Sequence, residues 1–271
     1  MKDLLVRSFS GLFYVLLILS TLFIGKVPSL IIFGALGVIT LREFLNLIDK
    51  QGQSILYPAL YFILFLSLIS LYSRESTIFA PLILIISCIF NSFLAYQLLT
   101  SRELTYSLSY KLCLSILYLI GGIIFMTGIA YTSINMGYNP KLLVAIFLLI
   151  WANDSFAYLV GVKFGKRKLF PSVSPKKSIE GFIGGLAGAI LVGIIISYTL
   201  YSDIALTHWI VIGIMAGALG TIGDLIQSKL KRKAGVKDSG KIMPGHGGMY
   251  DRLDSIIYAS PFIFAYLYFV I

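Results

Sequence analysis

Long apolar runs, separated by short polar breaks, dominate the pattern of the chain. A helix that crosses a bilayer needs about 20 apolar residues, and runs of roughly this length recur along the whole sequence. The predicted helices cover residues 10–25, 28–47, 55–73, 78–99, 113–132, 141–160, 181–201, 207–226 and 254–271. The pattern therefore predicts an all-α polytopic integral membrane protein with about nine transmembrane helices, of which the first two have the least sharply marked edges.

Composition agrees with this prediction. Of the 271 residues, 58% are hydrophobic and only 13% are charged, with a mean hydropathy of +0.91, whereas a soluble domain carries about 25% charged residues. Lys2 and Arg7 before an apolar run resemble a signal peptide. No small-residue cleavage site follows them, so we predict that the first helix is retained.

The positions of the cations predict the orientation. With a cytoplasmic N-terminus, Lys26, Arg74 and Lys141 fall outside, and the other 19 of the 22 Lys and Arg residues fall inside or at inner helix ends. Cytoplasmic loops of membrane proteins carry such an excess of Lys and Arg. The sequence therefore predicts a protein integral to the cytoplasmic membrane, with its N-terminus and its long basic loops in the cytoplasm.

The two halves of the chain differ. Residues 1–140 have short loops and few charges, which predicts N-terminal transmembrane scaffold helices; Arg42 and Glu43 are interpreted there as a local ion pair or surface anchor. In residues 141–271 the helices contain polar residues and the loops lengthen, which predicts a C-terminal catalytic region with cytoplasmic loops at 161–180 and 227–253.

Two carboxylates interrupt apolar runs in the second half. Asp154 lies within one predicted helix, and Asp224 lies at the inner end of another. An ionisable residue inside a membrane is costly and points to function, although pairing with a Lys or a helix terminus is the structural alternative. Close helix packing is the interpretation for the glycines of the same helices, which are Gly181, Gly184, Gly185, Gly188, Gly213, Gly217 and Gly220.

The loop 161–180 combines hydroxyl and ammonium groups before a helix. Ser174, Lys176 and Lys177 precede Glu180 and the next apolar run. Together with the N–H groups of a helix start, such side chains suit a phosphate group. The alternative is attraction to anionic lipid headgroups, at about 1 kcal/mol for each basic residue.

Residues 228–254 form a dense polar island. Lys231, Arg232 and Lys237 are suited to neutralising a polyphosphate, and the glycines at 245, 247 and 248 around His246 allow backbone amides to approach phosphate oxygens. The other cations of this segment are Lys229, Lys233, Lys241 and Arg252.

Asp251 and Asp254 lie three residues apart, and therefore on one face, at a helix start. With Asp224 nearby, they suggest a Mg²⁺ site, because Mg²⁺ favours one or two carboxylates plus substrate oxygens. A helix cap with a local ion pair is the alternative for this run.

These motifs resemble the phosphatidate cytidylyltransferase (CDP-diacylglycerol synthase) family over residues 150–255. The positions that carry the resemblance are Ser228-x-Leu230-Lys231-Arg232, Lys237-Asp238, Pro244-x-His246-Gly247-Gly248, Asp251-Arg252-x-Asp254, the Asp154 helix and Ser174-Pro175-Lys176-Lys177. Met243, where an aliphatic residue or Phe is expected, is a minor departure. The first half matches only in having several apolar helices.

The resemblance implies that CTP and phosphatidic acid react to give CDP-diacylglycerol and pyrophosphate in a Mg²⁺-dependent nucleotidyl transfer. The catalytic residues that it implies are Asp224, Asp251, Lys231, Arg232 and His246, with His246 as a phosphate donor or loop organiser rather than a base. The substrate-binding residues are Ser174, Lys176, Lys177, Ser228, Lys237, Asp238, Gly247, Gly248 and Arg252. The metal ligands are Asp224 and Asp251, followed by Asp254 and Asp154.

The sequence leaves several points open. It does not divide the cations between the two substrates or say whether a second, monovalent cation assists. Anionic membrane lipid is an expected partner and nucleic acid is not, and the glycine-rich helices are compatible with a homodimer.

Other function classes fit less well. A CTP-dependent polyprenol kinase would need a base to activate an alcohol, and a CDP-alcohol phosphatidyltransferase would need an Asp-Gly motif, which this chain lacks. No Gly-Lys-Ser/Thr motif occurs for Walker-type nucleotide binding. A transporter would be expected to show internal repeats and polar residues at the bilayer midplane, and neither is seen.

Overall fold

The computed structural model describes residues 2–49, 57–73, 79–100, 107–131, 137–201 and 203–271, with side chains omitted at 2–8, 71–73 and 79–80. Arg74, and the predicted helix ends at residues 55, 56, 78 and 132, lie outside the described residues.

The described chain is almost entirely helical, which confirms the all-α prediction. Its helices are α1 (Lys2–Ile24), α2 (Lys26–Ile48), α3 (Tyr57–Ser73), α4 (Phe79–Leu99), α5 (Leu108–Cys113), α6 (Gly121–Ile129), α7 (Pro140–Phe164), α8 (Ile179–Thr199), α9 (Leu206–Ala234) and α10 (Tyr250–Phe269). A π-helical segment, Leu114–Ile120, joins α5 to α6 without a break.

Within the described ranges, six helical stretches are long and apolar enough to cross a membrane. They are Lys26–Ile48, Pro81–Leu99, Leu108–Ile129, Pro140–Phe164, Ile179–Thr199 and Leu206–Ala234. Shorter apolar helices occur at Phe9–Ile24 and Tyr57–Ser70. Many large apolar side chains on the helix surfaces are exposed, as lipid-facing side chains would be. The chain therefore has the architecture of a helical membrane protein.

Helix α9 is longer than the predicted 207–226. The basic run that was interpreted as the start of a loop continues the helix to Ala234, with Lys231, Arg232 and Lys233 in the last turn. Cations are favourable at a helix C-terminus, and Gly235 ends the helix in the left-handed region at φ 73. The segment between α9 and α10 therefore starts at residue 235 rather than at 227.

The predicted loop 161–180 is also more ordered than the sequence indicated. Helix α7 continues to Phe164, and an antiparallel two-stranded ribbon follows, with β1 at Lys168–Phe170 and β2 at Ser174–Ser178. The ribbon leads directly into α8, whose N-cap residue Ser178 accepts a hydrogen bond from the amide of Gly181. The side chains of β2 are thereby fixed next to the start of α8.

Glycines bring α7, α8 and α9 close together, as predicted. A Cβ atom at Gly184 would collide with Val160 of α7, and one at Gly185 would collide with Asn153. The same holds for Gly181 and Gly188 against α7, while Gly213 and Gly217 allow tight approach between α9 and α8. At Gly220 the contact would be an ordinary one.

The interior of the protein lies around α10 and the π-helical segment. Most of α10 is buried, and it packs mainly against α9 and α6. The hydroxyl groups of Tyr118 in the π-helical segment and Tyr250 in α10 are 2.6 Å apart and buried. The first turn of α10, which carries the predicted site residues, is therefore attached to the centre of the protein.

Candidate active site

A cavity of about 510 Å³ opens between α7, β2, α8 and α9. We refer to it as the α7–α8 cavity. Its walls combine opposite charges with polar side chains, and they include Asp154, Lys176, Lys177, Ser178, Thr221 and Asp224. Residues that were predicted from separate motifs are thus assembled on one surface.

A Lys–Asp ion pair lies in the α7–α8 cavity. The ammonium group of Lys177 on β2 contacts the Oδ2 atom of Asp224 on α9, and the Oδ1 atom of Asp224 accepts a hydrogen bond of 3.4 Å from the hydroxyl of Ser228. The two paired side chains remain 28% and 31% exposed. This pair is therefore accessible to a ligand entering the cavity.

Asp154 has an exposed side chain, although it lies in the middle of α7. Its Oδ1 atom accepts a hydrogen bond of 3.3 Å from the side-chain amide of Asn153. It lines the α7–α8 cavity and also a second cavity, of about 260 Å³, which we call the α1–α10 cavity. The walls of this second cavity include Tyr14, Trp151, His246, Asp251, Arg252 and Asp254. Asp154 therefore lies where the two cavities approach each other.

Asp251 is enclosed by hydrogen-bond donors from the protein. Its Oδ1 atom accepts from Lys231 at 2.7 Å and from the side-chain amide of Gln227 at 3.1 Å. Its Oδ2 atom accepts from the amides of Ser239 and Gly248 at 2.8 and 2.9 Å, and lies 3.0 Å from the Ser239 hydroxyl oxygen. The helix-cap and ion-pair alternative is therefore the arrangement that the structure presents for this residue.

In the turn at residues 243–248, the backbone amides of residues 246–248 form hydrogen bonds within the protein. Gly245 and Gly247 have φ values of 74 and 86, which favour glycine. The amides of His246 and Gly247 donate to the carbonyl oxygen of Met243, and the amide of Gly248 donates to Asp251. These groups, which were expected to contact phosphate, bond within the protein instead.

His246 connects this turn to α1. Its Nδ1 atom lies 2.6 Å from the hydroxyl oxygen of Ser10, and this hydroxyl donates to the carbonyl oxygen of Pro244. The Arg252 side chain donates to the carbonyl oxygen of His246 at 3.0 Å. These contacts support the organiser role among the two roles that were considered for His246.

Other predicted residues lie at the edge of the site. Lys231 is held by Asp251, Arg232 and Lys237 are exposed, and Asp238 is exposed beside Gly247. Half-buried Ser174 lies on β2, the strand that carries Lys176 and Lys177. The structure therefore places Lys176, Lys177, Asp224 and Asp154 around one cavity, and separates from them the cations at the end of α9.

Sequence reasoning missed Glu43. It was assigned to a local ion pair or a surface anchor in the scaffold half, but it is buried and accepts hydrogen bonds from the amides of Met249 and Tyr250 at the start of α10. Its partners lie more than 200 residues away along the chain. The only local signal in the sequence was a carboxylate near the C-terminal end of an apolar helix.

The carboxylates of the site differ in how well they fit a metal ion. Among the described residues, no three His, Cys, Asp or Glu side chains lie together in a way that would hold a metal ion. Mg²⁺ does not require such a cluster, because it binds one or two carboxylates and completes its shell with substrate oxygens and water. Asp154 and Asp224 fit this demand because both line the α7–α8 cavity. Asp251 fits it poorly, since a metal ion would have to displace the donors that surround it.

Comparison with known proteins agrees with the motifs. The model of the cytidylyltransferase family matches residues 5–270. The chain is 32% identical to a phosphatidate cytidylyltransferase of Bacillus subtilis (strain 168), over 97% of both chains. It is 34% identical to one of Staphylococcus haemolyticus, over 95% of this chain and 96% of the relative. To one of Haemophilus influenzae it is 48% identical, over 48% of this chain and 46% of the relative. The chain belongs to the cytidylyltransferase family.

Proposed function

We propose that this protein is a phosphatidate cytidylyltransferase of phospholipid biosynthesis. It joins CTP and phosphatidic acid to form CDP-diacylglycerol and pyrophosphate. The observation that carries the proposal is the similarity to phosphatidate cytidylyltransferases over almost the whole chain. The Lys177–Asp224 pair in an accessible cavity between apolar helices supports it, because both substrates are phosphates and one of them is a lipid.

The chemistry is a displacement at phosphorus. A phosphate oxygen of phosphatidate attacks the α-phosphorus of CTP, and the bond to the β-phosphate bridging oxygen breaks to release pyrophosphate. Phosphatidate is already ionised near neutral pH, so the step needs no strong base. What the protein must supply is the alignment of two anions and the neutralisation of the charge on the leaving group.

Lys177 is suited to this electrostatic task. Its ammonium group is fixed by Asp224 from one side, while the α7–α8 cavity leaves it open to a ligand from another. Lys176 adds a second cation on the same wall. We propose that Asp224 orients Lys177 towards a substrate phosphate. Arg252 lines the α1–α10 cavity and acts on the substrates from the other side, while Lys231 is held by Asp251 next to that cavity.

We propose Mg²⁺ as the cofactor, held by Asp224 and Asp154. A carboxylate that faces two cavities would repel two anionic substrates, and a divalent cation beside it would remove that repulsion. When bound, Mg²⁺ supplies positive charge to the reacting phosphate oxygens. Asp254 is buried and lines the α1–α10 cavity together with Asp154, which makes it a further candidate ligand. Asp251 holds Lys231 in place rather than serving as a main ligand.

The proposed setting is the cytoplasmic membrane. We propose nine transmembrane helices with the N-terminus in the cytoplasm, where CTP is present, and a catalytic region at 141–271 that is supported by the scaffold at 1–140. In this orientation the excess of Lys and Arg faces the cytoplasm. Anionic lipids and a homodimer remain predicted partners.

The experiment that tests the proposed function uses the full-length protein purified in detergent. Labelled CTP, phosphatidate and Mg²⁺ should yield a CDP-lipid and pyrophosphate in equal amounts, and removal of the divalent cation with a chelator should stop the reaction until Mg²⁺ is restored. A polyprenol offered in place of phosphatidate should give no product. Well-folded protein that makes no CDP-lipid, or that uses the polyprenol equally well, would refute the proposal.

A further inference from the structure

Glu43 connects the scaffold half of the chain to the candidate active site. Its carboxylate accepts hydrogen bonds from the amide of Met249 at 3.1 Å, the amide of Tyr250 at 2.9 Å and the hydroxyl of Ser239 at 2.8 Å. The residue is only 8% exposed. One side chain of α2 thus holds both the segment before α10 and the first turn of α10.

A carboxylate suits this position for two physical reasons. The first amides of a helix have no partner within the helix, and negative charge is stabilised by the dipole at a helix N-terminus. Met249, the N-cap residue of α10, makes no side-chain cap hydrogen bond. Glu43 fills that role from another helix, with charge-assisted hydrogen bonds that are stronger than neutral ones.

The contact is closely fitted. A Cβ atom at Gly240 or at Gly248 would collide with the carboxyl group of Glu43. The next residue of α2, Phe44, packs edge-on against the ring of Tyr250 with ring centroids 5.6 Å apart. Consecutive residues of α2 therefore hold Tyr250 by its backbone and by its ring.

Ser239 transmits this contact to Asp251. Its hydroxyl oxygen lies 2.8 Å from Oε2 of Glu43 and 3.0 Å from Oδ2 of Asp251. A serine hydroxyl has one proton to donate, so it bonds to one carboxylate at a time while its backbone amide remains on Asp251. The position of Glu43 is thereby coupled to the pair of Asp251 and Lys231.

We propose that Glu43 is a positioning residue for the nucleotidyl transfer. It fixes the start of α10, and so places Asp251, Arg252 and Asp254 relative to the two cavities. This inference rests on the proposed function, since its kinetic consequence is a loss of that activity. It assigns to the first half of the chain a part in organising the site.

The test compares Glu43→Gln with Asp49→Asn. Asp49, the C-cap residue of α2, is a matched control because it too is a carboxylate that binds other elements, accepting from Tyr57 at 2.5 Å and pairing with Lys111 at 3.3 Å. Each variant removes one negative charge near the C-terminal end of α2 with little change in volume. We expect Glu43→Gln to lower kcat at least tenfold, equivalent to about 1.4 kcal/mol, with a much smaller change in the KM for CTP. Asp49→Asn should keep kcat within about twofold of the wild type.

A second readout does not depend on activity. Hydrogen exchange at the amides of Met249 and Tyr250 should be faster in Glu43→Gln than in the wild type, and unchanged in Asp49→Asn. Ser239→Ala, combined with Glu43→Gln, should lower kcat by less than the product of the two single effects, because both act on Asp251.

The outcomes separate the two proposals. If kcat of Glu43→Gln stays within twofold of the wild type, or falls only as far as in a control variant of equal thermal stability, Glu43 is not a positioning residue. If the wild-type protein makes no CDP-lipid, the proposed function is wrong. Exchange at the amides of 249 and 250 still decides in that case whether Glu43 holds the start of α10, and unchanged exchange would overturn the structural basis of the inference.

Discussion

Two Lys–Asp pairs, each with one residue on α9, use the same chemical groups in different surroundings. In the pair of Lys177 and Asp224, both side chains are about 30% exposed and face the α7–α8 cavity. In the pair of Lys231 and Asp251, the side chains are 14% and 5% exposed, and Asp251 accepts further hydrogen bonds from the protein. The first pair is available to a ligand, and the second holds three segments of the chain together.

Burial decides whether a charged pair is available to a substrate or stabilises the fold. A surface-accessible ion pair contributes only about 0–1 kcal/mol to stability, so its charges can be redirected to a substrate at little cost. A buried and fully bonded pair costs several kcal/mol when one partner is removed. We therefore expect the accessible pair to control activity with little effect on folding, and the enclosed pair to affect both.

The largest expected effect is on activity in Asp224→Asn. Loss of the carboxylate releases Lys177 and weakens the proposed Mg²⁺ site, so turnover should fall by about 10² to 10³, the loss typical of removing one preorganised electrostatic group. The thermal midpoint in detergent should change little. Asp203→Asn, at the exposed residue before α9, is the control and should retain full activity. Full Mg²⁺-dependent turnover in Asp224→Asn would contradict the assignment.

Asp251→Asn should reduce both stability and activity. Removing one partner of a buried ion pair costs about 3 kcal/mol, because Lys231 then keeps a charge with too little compensation. Thermal unfolding followed by fluorescence, together with turnover at saturating substrates, measures both effects. In a double-mutant cycle with Lys231→Met, the two losses should be strongly non-additive. A fully stable but inactive Asp251→Asn protein would instead favour a direct role at the metal.

Lys177→Gln should weaken substrate binding. Removing one ammonium group from the α7–α8 cavity should raise the KM for a phosphate substrate about tenfold, equivalent to about 1.4 kcal/mol, and titrating CTP and phosphatidate separately would identify which substrate Lys177 contacts. Lys166→Gln, which removes an exposed charge from the segment between α7 and β1, is the matched control. An equal rise of KM in both variants would mean that only the net charge of the surface matters.

The smallest effect is expected for His246→Gln. If His246 organises the turn through Ser10, then His246→Gln and Ser10→Ala break the same hydrogen bond and should lower turnover alike, by less than about tenfold, in line with the roughly 1 kcal/mol of a single hydrogen bond. Rates at several pH values would separate this role from proton transfer. A loss above a hundredfold in His246→Gln with a normal Ser10→Ala protein would indicate a direct part in the reaction.

The sequence predicted the helical fold well because apolar runs of bilayer length allow few other structures. It missed the last two turns of α9, because the run from Ser228 to Ala234 looks like a charged loop, although Lys, Arg and Leu are all good helix formers. The ribbon of β1 and β2 was also missed, since its strands are short and lysine-rich. Patterns of apolar residues predict elements reliably where burial in lipid determines them, and less reliably at polar ends.

The site was predictable as a set of residues but not as an arrangement. Asp224 and Lys177 were each identified, yet nothing in their spacing of 47 residues indicates that they pair. Glu43 could not be found from one sequence, because its partners depend on how α2 packs against α10. Nor does the sequence indicate that Asp154 lines two cavities while Asp251 is enclosed by hydrogen-bond donors, since accessibility is a property of the packed protein.

Both Lys–Asp pairs involve α9, with Asp224 and Lys231 seven residues apart. Seven residues are almost two full turns, so the two side chains leave the helix in nearly the same direction, about 10 Å apart along its axis. The ion pair of Asp251 and Lys231 therefore restrains rotation of α9 about its own axis. Because the two side chains share one face of α9, a rotation of this helix about its axis would also move Asp224 away from Lys177. The enclosed pair of Lys231 and Asp251 thereby fixes the direction in which Asp224 of the accessible pair points.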